Sequence, residues 1–138
     1  MRTAAPTAPS LPVLLLVLGL AASAHAQASG EGKALFLRRC GTCHSIEPGL
    51  NMAGPSLAGV VGRKVATVPG AIYSPAMKGH GGVWTVEALD KYLIDPQAVV
   101  PGTSMTLALP DAAERKTILA YLEAASPPRS GGKKKAAR

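Results

Sequence analysis

Acidic and aromatic residues are scarce in this chain, and what is missing narrows its chemistry before any motif is considered. Of 138 residues eight are acidic, and the aromatics amount to one Phe, one Trp and three Tyr. The net charge of +7 suggests a nucleic-acid partner only until it is divided along the chain. Arg2 stands alone at the start, and five basic residues (Arg129, Lys133, Lys134, Lys135 and Arg138) crowd the last stretch. Between positions 29 and 128, nine basic residues face eight acidic ones. A nucleic-acid surface needs a basic face interleaved with aromatic or polar readers, and this body has none. No segment shows the sustained alternation of a half-buried strand, so a sheet protein is excluded. Beyond position 24 no apolar run is long enough to span a bilayer. The two cysteines, Cys40 and Cys43, are too close together to staple a long loop.

The ends of the chain read differently from its middle. Arg2 precedes a nearly unbroken apolar run from Leu11 to Ala24, with small residues at Ala24, Ala26 and Ala28. That pattern is a signal peptide, with cleavage after Ala26 or Ala28, and it implies export to a bacterial periplasm. A retained anchor is the competing reading. Residues 127–138, rich in Pro, Gly and Lys, have too little apolar surface to pack and are expected to form a disordered basic tail. The expected organisation is therefore a cleaved leader over 1–28, one domain over 29–126 and the tail.

Inside that domain Cys40-Gly-Thr-Cys43-His44 has the spacing of a c-type haem attachment site. Two thiols can add to two vinyl groups, and the adjacent imidazole is a sound axial donor to iron. A thioredoxin-like dithiol shares the cysteine spacing but belongs beside a strand–helix pattern that is absent. A zinc site needs further ligands, and beyond this motif only His25 and His80 remain. For a second axial ligand the sequence offers Met52, Met77, Met105 and His80. Met52 follows His44 too closely to reach the opposite haem face without a very tight turn. Met105 follows Pro101-Gly102-Thr103, residues suited to a shaped loop, which favours it modestly over Met77.

Three main helices are expected. The first runs from Glu31 to Cys40, capped by Ser29, with Ala34, Leu35, Phe36 and Leu37 as apolar surface and Gly41 as its end. Positions 47 to 69, rich in Gly, Pro and small residues, read as loop. Thr85 caps a second helix carrying Leu89, Tyr92 and Leu93 and stopping before Pro96. Asp111 and Glu114 have the spacing of a capping box for a third, which carries Ile118, Leu119, Tyr121 and Leu122. Three helices with long connections make a poor core unless something apolar fills the middle. A haem does so, and the apoprotein is then expected to be largely unfolded.

From Gly32 to Leu122 the chain resembles the class I cytochromes c, in the branch of mitochondrial cytochrome c and bacterial cytochrome c2. Gly32, Phe36 and Tyr121 match the glycine and aromatics where first and last helices cross. The resemblance implies an all-α fold wrapped around one covalent haem c held by Cys40 and Cys43, with His44 and Met105 as iron ligands. It implies further that Pro55, in Gly54-Pro55-x-Leu57, accepts the proximal histidine's hydrogen bond. Arg63, Tyr73 and Trp84 match residues near the haem propionates, and Tyr92 a tyrosine beside the axial methionine. Met77 stands where relatives have a pocket asparagine, Ser104 replaces a lysine, and Leu107 replaces an aromatic. The usual lysine ring is thinned to Arg38, Arg39, Lys64, Lys78 and Lys91.

These expectations describe a monomeric one-electron carrier, not an enzyme, serving membrane or soluble redox proteins. Its tail suits contact with anionic lipid or acidic partners. The alternatives are a haem subunit of a larger redox complex and a peroxidase-like or ligand-sensing haem protein.

Overall fold

The computed structural model describes residues 30–126; the expected leader, the Ser29 cap, His25 and the basic tail lie outside them. Helix α1 covers 30–39, followed in order by α2 (Pro75–His80), α3 (Val86–Ile94), α4 (Pro96–Val99) and α5 (Ala112–Ala124). Among the described residues, extended pairing is limited to one isolated antiparallel bridge, Lys64 with Val83.

Helix α1 buries Gly32, Leu35 and Phe36, the i, i+3, i+4 stripe of one face, and Cys40 in the turn that follows continues it. Ala34 and Leu37, expected to add apolar surface, fall off that stripe and are exposed. The buried face crosses α5, where the Phe36 and Tyr121 rings lie 5.5 Å apart. The crossing is close enough that a Cβ on Gly32 would sit 2.8 Å from Tyr121 Cβ. Beside it, Arg39 closes on Glu114 at 2.7 Å.

That ion pair changes the start of α5. Asp111 caps the helix by accepting from the Glu114 backbone N–H at 2.8 Å. The other half of the expected capping box does not form, because the Glu114 carboxylate serves Arg39 instead. Helix α5 packs on α3 through Ile118, Leu119 and Leu122, facing Leu89 and Leu93. Arg115 is buried at the junction: its Nε donates to Asp90 at 2.7 Å, and its Nη1 to the Leu109 and Pro110 carbonyls at 2.8 Å each.

Thr85 caps α3 by accepting from the Ala88 N–H at 3.1 Å. Two short helices were not expected. In both, a capping side chain precedes a proline at the first helical position: Ser74-Pro75 opens α2 and Asp95-Pro96 opens α4. Four to six residues are too few to display a helical period, so the caps were their one legible trace.

The loop from 41 to 74 is held by scattered backbone hydrogen bonds, among them Gly62 N–H to the Trp84 carbonyl at 2.7 Å, and by side chains. Ser56 Oγ donates to the Glu47 carbonyl at 2.7 Å, and Asn51 Oδ1 accepts from the Ser56 N–H at 3.0 Å. Asn51 Nδ2 then reaches the Pro69 carbonyl at 2.9 Å, drawing the two ends of the loop together. Because the α1–α5 crossing has no room for a side chain, Gly32→Val is expected to destabilise the holoprotein by about 1–3 kcal/mol. Guanidinium unfolding checks this; an unchanged midpoint would refute the close crossing.

Candidate functional site

Helices α1, α2, α3 and α5 and the long loop share one cavity of about 310 Å³. Cys40, Cys43 and His44 line one part of it; Met77 and Met105 line another. Leu89, Leu93, Ile118 and Leu122 also face it, so the α3–α5 pair forms part of its wall.

The cysteine–histidine segment is a turn continuing from α1. The Cys43 and His44 N–H groups both donate to the Cys40 carbonyl, at 3.0 and 2.9 Å. The Cys43 carbonyl in turn accepts from the Gly54 N–H at 2.8 Å, which draws residues 54 and 55 beneath the imidazole. His44 Nδ1 lies 2.8 Å from the Pro55 carbonyl oxygen. A carbonyl can only accept, so Nδ1 carries the proton and Nε2 keeps its lone pair. Gly54 is required here: a Cβ on it would stand 2.8 Å from Nδ1 and 2.9 Å from Nε2. In the folded chain the imidazole is thus held in one orientation with Nδ1 toward Pro55.

Of the two cysteines, Cys40 is buried and Cys43 exposed, and they form no disulfide with each other. Burial pushes the Cys40 thiol up to about 11, against the opposing pull of Arg39. Among the described residues no group of three His, Cys, Asp or Glu side chains is placed to hold a metal ion.

The four candidates for a second axial ligand separate cleanly. Met77, buried, and Met105, half-buried, line the cavity. Met52 is exposed and not part of the lining, its backbone N–H being bound to the Gly54 carbonyl at 2.9 Å. His80 is also exposed and outside the lining, its ring stacked over Trp84 at 6.5 Å. Met105 belongs to a loop tied from within: the Tyr92 hydroxyl and Thr103 Oγ1 lie 2.8 Å apart in a buried contact. Burial raises the Tyr92 phenol pKa, keeping it neutral and able to donate. Tyr92 also packs on Trp84, with ring centroids 5.1 Å apart.

Arg63, Tyr73 and Trp84 all reach the cavity wall. Arg63 donates through Nη1 to the Ala58 carbonyl at 2.8 Å and through Nη2 to the Ser56 carbonyl at 3.0 Å. The Tyr73 hydroxyl accepts from the Val68 N–H at 3.2 Å. All nine residues singled out from the sequence as binding a cofactor therefore border the one cavity. What the sequence reading missed are the supports: Gln97, Thr103 and Arg115. The Asp95-Pro96 helix start was the available signal for the first of these.

Two thiols, a fixed imidazole and a soft thioether around an apolar hollow form a donor set that fits a covalently held haem. Since the His44 ring leaves no room at residue 54, Gly54→Ala is expected to break the Nδ1–Pro55 contact and weaken ligation by roughly 10–100-fold, the usual range for lost outer contacts to a ligating histidine. The ferric absorption spectrum of the holoprotein reads this; a spectrum indistinguishable from the parent would contradict the geometry.

Comparison with known proteins gives the family. The family model described as Cytochrome c matches residues 29–126. A c-type cytochrome named cyt cy from Rhodobacter capsulatus is 53% identical over 95 residues, covering 68% of this chain but 46% of that protein's length. Cytochrome c2 of Rhodopila globiformis is 49% identical over 94 residues, covering 67% of this chain and 89% of its own. Among solved structures, cytochrome cH from Methylobacterium extorquens superposes with a TM-score of 0.63 at 36% identity, over 70% of this chain and 97% of the other. The chain belongs to the cytochrome c family, as a class I member of the cytochrome c2 branch that binds haem c covalently through Cys40 and Cys43.

Proposed function

We propose that this electron carrier holds its haem iron between His44 and Met105 and works in a bacterial periplasm. The observation that carries the ligation is the shared cavity, with a pre-oriented imidazole and a loop-borne thioether on its wall. Of the two methionines that line it, Met77 is buried in α2, whereas Met105 follows a glycine at φ +88° that shapes its loop. The motif Pro101-Gly102-Thr103-Ser104-Met105 supports the same choice.

When bound, the haem supplies the one-electron ferric–ferrous couple. The chain's residues supply the rest. Cys40 and Cys43 tether the group, and Pro55 holds the His44 proton, which strengthens the imidazole as a donor. The Met105 sulfur is a soft ligand that favours the ferrous state and raises the potential. Arg63 brings positive charge toward the propionates, and Tyr73 and Trp84 offer polar hydrogens on the same wall. Tyr92 steadies the methionine loop through Thr103.

The leader-like composition of residues 1–28 supports export, and the body's near balance of charge supports partners among membrane or soluble redox proteins that do not depend on a lysine ring. The basic residues from Arg129 onward suit contact with anionic lipid or an acidic partner. We place the cytochrome domain at 29–126 and read the protein as a monomer.

Spectral and redox titration of Met105→Ala and Met77→Ala holoproteins tests the ligand. Met105→Ala is expected to lose its low-spin character and drop in potential by a sizeable part of the about 0.8 V that axial ligands span, while Met77→Ala keeps both. The reverse pattern, or rapid carbon monoxide binding by the ferrous parent at neutral pH, would overturn the assignment.

A further inference from the structure

Gln97 is an exposed residue early in α4, yet both ends of its amide engage the loop that carries Met105. Its Oε1 accepts from the Gly102 N–H at 3.2 Å. Its Nε2 donates to the Thr103 carbonyl at 2.7 Å and, more weakly, toward the Met105 carbonyl at 3.4 Å. The orientation of the amide follows from its partners, since a backbone N–H only donates and carbonyls only accept.

The helix beneath Gln97 is itself anchored. Asp95 Oδ1 caps α4 by accepting from the Gln97 and Ala98 N–H groups at 3.1 Å each. Pro96 is buried, and its carbonyl accepts from the Val100 N–H at 2.9 Å. The loop is therefore gripped on two sides. From within, Tyr92 holds the Thr103 hydroxyl; from outside, Gln97 holds backbone atoms of residues 102, 103 and 105 together.

The geometry points to Gln97 as a positioning residue, an outer clamp that sets how readily Met105 withdraws from the cavity. This rests on the reading of Met105 as iron ligand. Tyr92 fixes the loop at one side chain, whereas Gln97 closes the backbone across Ser104, the segment that must swing for the thioether to leave. An exposed amide competes with water for its partners, so the clamp is of ordinary strength and opening is slowed by about tenfold, the size of one or two net hydrogen bonds.

Exogenous imidazole provides the probe. In the ferric holoprotein it can take the sixth position only after the loop lets go, so its saturating binding rate, followed as the methionine–iron absorption bleaches, reports opening. Gln97→Ala is expected to speed that rate about tenfold, with the guanidinium unfolding midpoint lowered by no more than the same lost hydrogen bonds account for. Gln97→Glu, which keeps the shape and loses both donors, is expected to be accelerated as well at neutral pH. Ala98→Ser, on the same helix, is expected to leave the rate unchanged. Equal rates in parent and Gln97→Ala overturn the clamp. So does a Gln97→Glu protein that behaves like the parent, or an equal acceleration in Ala98→Ser, which would mean general loosening of α4. Failure of the underlying ligand reading has a separate signature: the methionine–iron absorption would survive Met105→Ala.

Discussion

Leu89, Leu93, Ile118 and Leu122 belong at once to the contact between α3 and α5 and to the wall of the haem cavity. That double use is the constraint on which the rest of the molecule depends. The hydrophobic core and the binding site are one surface, so the free energy of holding the haem is also free energy of folding. It explains why so little regular structure suffices. Thirteen residues of α5 and nine of α3 form the firm side, and a loop held by Ser56, Asn51 and Arg63 forms much of the other.

The two proposed axial ligands are supported in physically different ways. His44 is fixed by main-chain contacts and a steric wall: a turn on the Cys40 carbonyl, the Gly54 approach and the Pro55 carbonyl. Met105 depends on side chains from other elements, Tyr92 from α3 and Gln97 from α4. Arg115 of α5 then ties down the chain just beyond, at the Leu109 and Pro110 carbonyls. The His44 side is firm because its contacts are sterically tight at Gly54. The other is adjustable because its contacts are polar, and partly exposed.

Two arginines serve the architecture. Arg39, on the cavity lining, is engaged with Glu114, and Arg115 is buried against Asp90. The carboxylate expected to complete a capping box is used to pin α1 to α5. Exposed ion pairs of this kind contribute little individually, so the crossing itself rests on the absence of a side chain at Gly32.

The attachment site was legible in the sequence because its chemistry is contiguous: Cys40, Cys43 and His44 lie within one turn, and spacing alone defines what they can hold. The longer helices were legible through caps and apolar period, as at Thr85 and Asp111. The short helices were not, since four to six residues carry no period, and Leu37 could not be assigned to the solvent side before the crossing with α5 was known. Resemblance brought Pro55 and Met105 forward; the residues alone left Met77 as a rival. Only the tertiary structure separated His80 from the cavity, turned Glu114 toward Arg39, and brought Gln97 against residues 102 to 105. The physical reason is the same in each case. A sequence fixes which groups a segment can offer, but which of them meet is decided where distant segments compete for the same partner.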